Sequence, residues 1–253
     1  MMHSNDIETD SSVLIHTLHP IESEIEQCYN ITRSIFKAYG QPEDFTNKYI
    51  IEQDMSDIQE NYLKLSRSHW WVATIGQKII GQAGVQPKSI GDRTFYNKLI
   101  MDETLRFYED IHPDEICEIR RMAVLSKYEN QHIGRKLLQT LIDFARTQDY
   151  KAVHLTTSLH MKPACNFYDR CNFTRGQIYR YTVYSNEVIN KDKKDIAANR
   201  EKTDQLTVFL DAPVIFNTLN DLTDDDWEKI NHPKLITQVK SKNVYTQDFW
   251  MKL

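Results

Sequence analysis

From Glu118 to Arg146 the chain reads E-I-R-R-M-A-V-L-S-K-Y-E-N-Q-H-I-G-R-K-L-L-Q-T-L-I-D-F-A-R. Its first part carries Ile119, Met122, Val124 and Leu125, an apolar run of strand length. A short polar turn follows, and then Ile133, Leu137, Leu138, Leu141, Ile142 and Ala145 recur at helical spacing. The stretch therefore predicts a strand, a loop and a helix. A helix that opens from a loop presents unpaired backbone N–H groups and the positive end of its dipole, which favours an anion, and Gly134 lets the backbone approach one closely. Phosphate fits such a seat. A plainer reading is open as well: Asn130 caps an amphipathic helix that packs on a sheet.

Working outward, 253 residues with 40 % hydrophobic content can bury one large core or two small ones. The net charge of −5 comes from 31 basic and 36 acidic residues in no long block of one sign, so no nucleic-acid partner is expected. The opening M-M-H-S-N-D-I-E-T-D lacks the layout of a signal peptide. No apolar run approaches the roughly 20 residues of a membrane span, so no membrane partner is expected either. Cys28, Cys117, Cys165 and Cys171 form no C-x-x-C pair and sit in ordinary helix or strand patterns. They read as buried reduced thiols, with no metal site, and the expected compartment is cytoplasmic.

Along the chain, 1–12 reads as a flexible tail and Val13–Leu18 as an edge strand closed by His19-Pro20. A helix should run from Ile21 to about Gly40, and a second from about Thr46 to Leu65. His69–Ile75 and Lys78–Val85 flank Gly76-Gln77 as a hairpin, with Trp70 and Trp71 divided between core and surface. Residues 88–115, with seven acidic and four basic side chains, read as an insert with a helical stretch at Asn97–Glu109. Ala152–Thr157 is a strand, Pro163–Tyr168 a helix begun by proline, and Phe173–Tyr184 a long strand. Residues 186–205 read as a solvated polar loop, Leu206–Leu210 as the last strand, and Asp224-Asp225-Asp226 as a helix start before an irregular tail ending in Phe249-Trp250.

This order resembles the GNAT superfamily of acyl-CoA-dependent N-acyltransferases. The resemblance rests on Met122-Ala123-Val124 ending a strand, Gln131-His132-Ile133-Gly134-Arg135-Lys136 opening a helix, and Ala164-Cys165-Asn166-Phe167-Tyr168 before Cys171-Asn172-Phe173. It covers about Val13 to Leu210 and implies an α/β (α+β) fold with a mixed, mostly antiparallel central sheet flanked by helices. The implied domain spans 13–212, with 213–253 as a C-terminal extension packed on it. The family pattern is Gln or Arg, two residues, Gly, one residue, then Gly or Ala. With its last position on Gly134, Glu129 stands at the first and His132 at the first glycine.

The resemblance implies acetyl-CoA as cosubstrate and an amine as acceptor. Met122, Ala123 and Val124 would hold the pantetheine arm, with the Met122 N–H as oxyanion donor. Gln131, His132, Ile133, Gly134, Arg135 and Lys136 would hold the pyrophosphate. Attack by an amine needs a proton acceptor and a proton for the departing thiolate. Glu118 matches the family's general base, and burial in a groove is expected to raise its pKa. Its other reading is a structural partner of Arg120 or Arg121. Tyr168 matches the family's proton donor to the CoA sulfur, against a reading as a core aromatic. His154 and His160 are reserve titrating groups. The function this implies is direct acetyl transfer to a primary amine in a ternary complex. A non-catalytic acyl-CoA-binding or scaffold protein of the same fold is the alternative, and a homodimer stays open.

Overall fold

The computed structural model describes residues 12–41, 43–91, 111–184, 214–233 and 241–253. The tail before residue 12, the helical stretch Asn97–Glu109, the polar loop 186–205 and the strand Leu206–Leu210 lie outside the described residues.

Eight strands form one sheet in the order β1-β2-β3-β4-β5-β8-β6-β7. They are β1 Leu14–Thr17, β2 His69–Ile75, β3 Lys78–Pro87, β4 Ile116–Val124, β5 Ala152–Ser158, β6 Thr174–Tyr184, β7 Val214–Phe216 and β8 Ser241–Lys252. All neighbours are antiparallel except β4 and β5. The sheet is covered on both faces. Helix α1 (Glu22–Ala38) turns Cys28, Ile31 and Thr32 inward and ends before Gly40, whose φ of 74° takes the chain out of the helix. Helix α2 (Ile133–Thr147) buries Ile133, Leu137, Leu138, Leu141, Ile142 and Ala145, the stripe its sequence spacing predicts. Helices α3 (Lys162–Arg170) and α4 (Asp224–Asn231) follow, α4 started by a capping box between Thr223 and Asp226.

Three sequence expectations change. The helix expected over Thr46–Leu65 is broken into one α-turn, Glu43–Thr46, and two wide π-turns, Asn47–Ile51 and Gln59–Leu63. Ile51, Met55, Ile58 and Tyr62 are buried at helical spacing, which is why the stretch looks continuous. Asp54 is also buried among them, turned toward β4. Trp70 and Trp71 both belong to the core, because the two faces of β2 are each covered. Trp70 packs edge-on to Tyr62 on one side, and Trp71 packs edge-on to Phe144 of α2 on the other.

The third change is the largest. The tail ending in Phe249-Trp250 is no irregular segment but β8, inserted between β5 and β6. Its buried polar residues, Gln247 and Asp248, interrupt the hydrophobic pattern, and both are satisfied. The Gln247 amide donates to Gly176 O at 2.8 Å. Asp248 accepts from Thr156 Oγ1 at 2.9 Å and Tyr179 OH at 3.2 Å. The four cysteines are buried and unbridged, as expected.

Candidate active site

β4 and β5 pair for three residues only: Ile116 with Ala152, Cys117 with Val153, and Glu118 with His154. Beyond that they part. β4 stays bonded to β3 as far as Val124, and β5 to β8 as far as Ser158, so each turns its other edge to open space. Backbone groups left unpaired inside a sheet need another partner. Here they wall a cleft of about 870 Å³, closed by the start of α2, by α3 and by the end of α1.

The parting is accompanied by a bulge. Ala83 on β3 faces both Arg121 and Met122, and Arg121 has a φ of 51°. A left-handed non-glycine residue costs on the order of 1 kcal/mol, and an ion pair offsets it. Arg121 Nε lies 3.0 and 3.1 Å from the two Asp54 oxygens, and its Nη2 also donates to Asp54. Asp54 further accepts from Tyr62 OH and lies 3.7 Å from Arg120 Nε. Burial alone would raise the Asp54 carboxyl, but Arg121 and Arg120 hold it well below the usual carboxylate range.

Glu118 belongs to the same network. Its Oε1 accepts from Arg120 Nη1 at 3.1 Å, while Oε2 is buried with no partner among the described residues. Burial pushes its pKa up, yet the charges of Arg120, Lys88 and His154 outweigh burial and leave it lowered. That is opposite to the expected direction, because burial came together with three basic groups. Behind it, Lys88 Nζ meets His154 Nδ1 at 3.2 Å, and His154 Nε2 donates to Asp248 Oδ1 at 3.2 Å. Burial first, and the Lys88 charge second, keep His154 below its ordinary value.

At the other end of the cleft, His132 is the residue before α2 and has a φ of 60°. It thus takes the left-handed conformation that the family pattern assigns to glycine, and Asn130 does the same at 61°. Neither caps the helix through its side chain. The first helical bond runs from Lys136 N to His132 O at 3.0 Å, leaving the N–H groups of Ile133, Gly134 and Arg135 without a helical acceptor. Arg135 and Arg170 line this end, and so does Glu129.

Tyr168 stands between these ends. It is buried, and among the described residues its hydroxyl's hydrogen-bond partner is the Met122 sulfur, at 3.8 Å. Burial keeps the phenol protonated far above its usual value.

Of the residues singled out in the sequence, Met122, Ala123, Val124, His132, Ile133, Gly134, Arg135 and Tyr168 line the cleft together. Glu118, Gln131 and Lys136 are outside its lining. The Gln131 amide instead reaches back to Lys127 O at 3.4 Å. Sequence reasoning missed Asp54, Asp248 and the β5 wall of Thr156, Thr157 and Ser158. Asp54 left one signal, an acid inside an apolar helical series.

A mixed sheet whose parallel pair parts over an uncapped helix start is the arrangement implied by the resemblance to the GNAT superfamily. Residues 25–173 match the model of the Acetyltransferase (GNAT) family, and the chain belongs to that family. It is 32 % identical over 128 residues to the probable N-acetyltransferase camello of Xenopus tropicalis, which covers 51 % of this chain and 48 % of that protein. It is 27 % identical over 171 residues to the N-acetylaspartate synthetase of Danio rerio, covering 62 % and 52 %. The chain spans about half the length of these curated relatives. An acetyltransferase from Streptococcus agalactiae shares the fold, with a TM-score of 0.52 at 14 % identity, covering 95 % of this chain and 98 % of that one.

Proposed function

We propose that the cleft binds acetyl-CoA and that the protein transfers the acetyl group directly to a primary amine. The carrying observation is the parting of β4 and β5 between an uncapped helix start and the buried hydroxyl of Tyr168. The cleft suits a long, thin ligand with an anionic end. Free strand edges accept amide groups along its length, and three helix N–H groups with Arg135 and Arg170 at its mouth favour phosphate.

Acetyl-CoA supplies the thioester. Met122, Ala123 and Val124 bond the arm, and the Met122 N–H stabilises charge that develops on the carbonyl oxygen. Ile133, Gly134, Arg135 and His132 hold the diphosphate, with Gln131 and Lys136 adding donors and charge from just outside. Tyr168, kept protonated by burial, gives its proton to the departing sulfur. Glu118 takes the amine's proton at Oε2, its unpartnered oxygen, through a water, since the side chain stands behind the cleft wall.

A thiol-release screen with acetyl-CoA across amine classes tests the reaction, and calorimetry on Gly134→Val tests the seat. A Cβ at Gly134 would already lie 3.4 Å from Phe167, so valine methyls must crowd the cleft wall and weaken acetyl-CoA binding. Equal affinity in both forms would remove the phosphate assignment. Binding without thiol release on any amine would favour the acyl-CoA-binding scaffold.

A further inference from the structure

Past its last residue paired to β4, β5 runs on as one wall of the cleft with Thr156, Thr157 and Ser158. Successive side chains of a strand point to opposite faces of the sheet. Val153, Leu155 and Leu159 pack in one core with Leu137 of α2 and Tyr168 of α3. His154, Thr156 and Ser158 therefore turn to the other face. There Gln82 and Gln86 of β3 reach Thr32 and Asn61, and Glu118, the strand partner of both Gln86 and His154, stands with them. The cleft opens to both faces, since Phe167 and Tyr168 line it on the first and Thr32 and Tyr39 on the second.

On that second face both hydroxyls of the wall have already given their hydrogens away. Thr156 Oγ1 donates to Asp248 Oδ1 at 2.9 Å, and the same carboxylate oxygen takes the His154 Nε2 hydrogen at 3.2 Å. An ionised carboxylate only accepts, and Asp248 is 2 % exposed, so the direction of the Thr156 bond is fixed from behind the wall. Thr156 itself is exposed, and among the described residues Asp248 is its hydroxyl's one partner. Ser158 Oγ donates to Tyr245 O at 3.1 Å and accepts the Nδ1 hydrogen of His160 at 2.6 Å. Burial first and Lys242 second hold the His160 pKa at about 4, so that ring is neutral near pH 7 and has one hydrogen to give. Here the wall's hydroxyls thus meet a ligand with lone pairs and no hydrogen. Ser158 has one acceptor position spent, and Thr156 has both open.

We propose that Thr156 Oγ1 accepts an N–H of the acceptor amine and so turns the nitrogen lone pair toward the thioester, with Asp248 as the positioning residue that fixes the hydroxyl. This rests on the amine-acceptor reading above. A neutral primary amine carries two N–H bonds. As its lone pair forms the C–N bond and the C–S bond breaks, one hydrogen passes to Glu118 through water and the sulfur takes one from Tyr168. Proton exchange with solvent then returns both side chains to their starting states. The amine's second hydrogen never leaves, because it becomes the N–H of the product amide, and it is the one Thr156 holds throughout. An alcohol has a single O–H hydrogen, the one that must leave, and so keeps no donor for Thr156. The contact therefore favours nitrogen over oxygen as the nucleophile.

Methylamine hydrochloride probes the contact without turnover, and tetramethylammonium chloride, which has the charge and no N–H, is its control. In the full chain saturated with CoA and labelled at threonine methyls, the Thr156 resonance is assigned by its loss in Thr156→Val. It should shift to saturation with methylamine and stay still with tetramethylammonium. No saturable shift with methylamine, or the same shift with both salts, overturns the contact. In the turnover arm, Thr156→Val should lower kcat/KM by roughly tenfold for an amine active in the thiol-release screen, the worth of one hydrogen bond. The acetyl-CoA Kd should stay the same, which also reports that the cleft keeps its shape. Thr156→Ser, which retains the hydroxyl, should restore kcat/KM. An unchanged kcat/KM in Thr156→Val, or an equal fall in Thr156→Ser, overturns the proposal. So does a weaker acetyl-CoA Kd in Thr156→Val with the amine kcat/KM unchanged at saturating acetyl-CoA, which would give the hydroxyl to the cosubstrate's arm. Absence of acetyl transfer to every amine counts against the proposed reaction alone, because the methylamine titration reads the contact independently.

Discussion

Asp54→Asn keeps the shape of the side chain and removes the counter-ion shared by Arg120 and Arg121. Asp54 is 8 % exposed. Its arginine partners have side chains 10 % and 16 % exposed, so both cations would stay buried with one carboxylate fewer. Removing one partner of a buried pair costs about 3–5 kcal/mol. Arg120 keeps Glu118 at 3.1 Å, which limits its share, whereas Arg121 has no other carboxylate in ion-pair range among the described residues. We expect a loss of about 3–4 kcal/mol, equivalent to a Tm lowered by roughly 6–16 °C for a chain of this size. Thermal and urea melts followed by tryptophan fluorescence measure it. The pH dependence supplies a second check. The folded-state pKa of Asp54 is depressed, so its stabilisation is complete above the unfolded carboxylate value of about 3.9 and is lost as pH falls through the lower folded value. The gap between wild type and variant should therefore be constant near neutral pH and close only in acid below about pH 4. A loss under about 1 kcal/mol, or a gap already closed at pH 6, would refute the role of Asp54 as the anchor of the bulge.

Three further outcomes follow from the same geometry. Tyr168→Phe removes a hydroxyl whose one hydrogen-bond partner among the described residues is the Met122 sulfur, so stability should hardly change while kcat falls by roughly 10²-fold or more; unchanged kcat would return Tyr168 to the core aromatics. Glu118→Gln should lower turnover by roughly 10²-fold evenly over about pH 6 to 9, because the depressed pKa keeps Glu118 ionised across that range; an unaltered rate would move the base to a water chain. Gly84→Ala places a Cβ 2.7 Å from Trp70 and 2.9 Å from Tyr62, and this overpacking should cost about 1–3 kcal/mol in urea melts; a neutral result would mean that the two rings yield.

The sequence by itself determined the strand, loop and helix from Glu118 to Arg146. Their signals are local: a short apolar run, a polar turn, and apolar residues at helical spacing. It also named one side of the cleft wall, since Met122 to Val124 and His132 to Arg135 are contiguous in the chain and Tyr168 follows in the next helix. Even the departure at His132 did not hide the loop, because the left-handed conformation is open to histidine at a modest cost. Tertiary structure alone decided what depends on partners distant in sequence. Asp54 is intelligible only beside Arg121, 67 residues away, and Asp248 only beside His154, 94 residues away. For that reason β8 could not be read as an inner strand from its own residues, whose buried Gln247 and Asp248 find their partners on β5 and β6. The direction of the Glu118 shift was hidden for the same reason. A carboxylate's pKa depends on burial and on neighbouring charge together, and the sequence does not state which of Lys88, Arg120 and His154 will surround it.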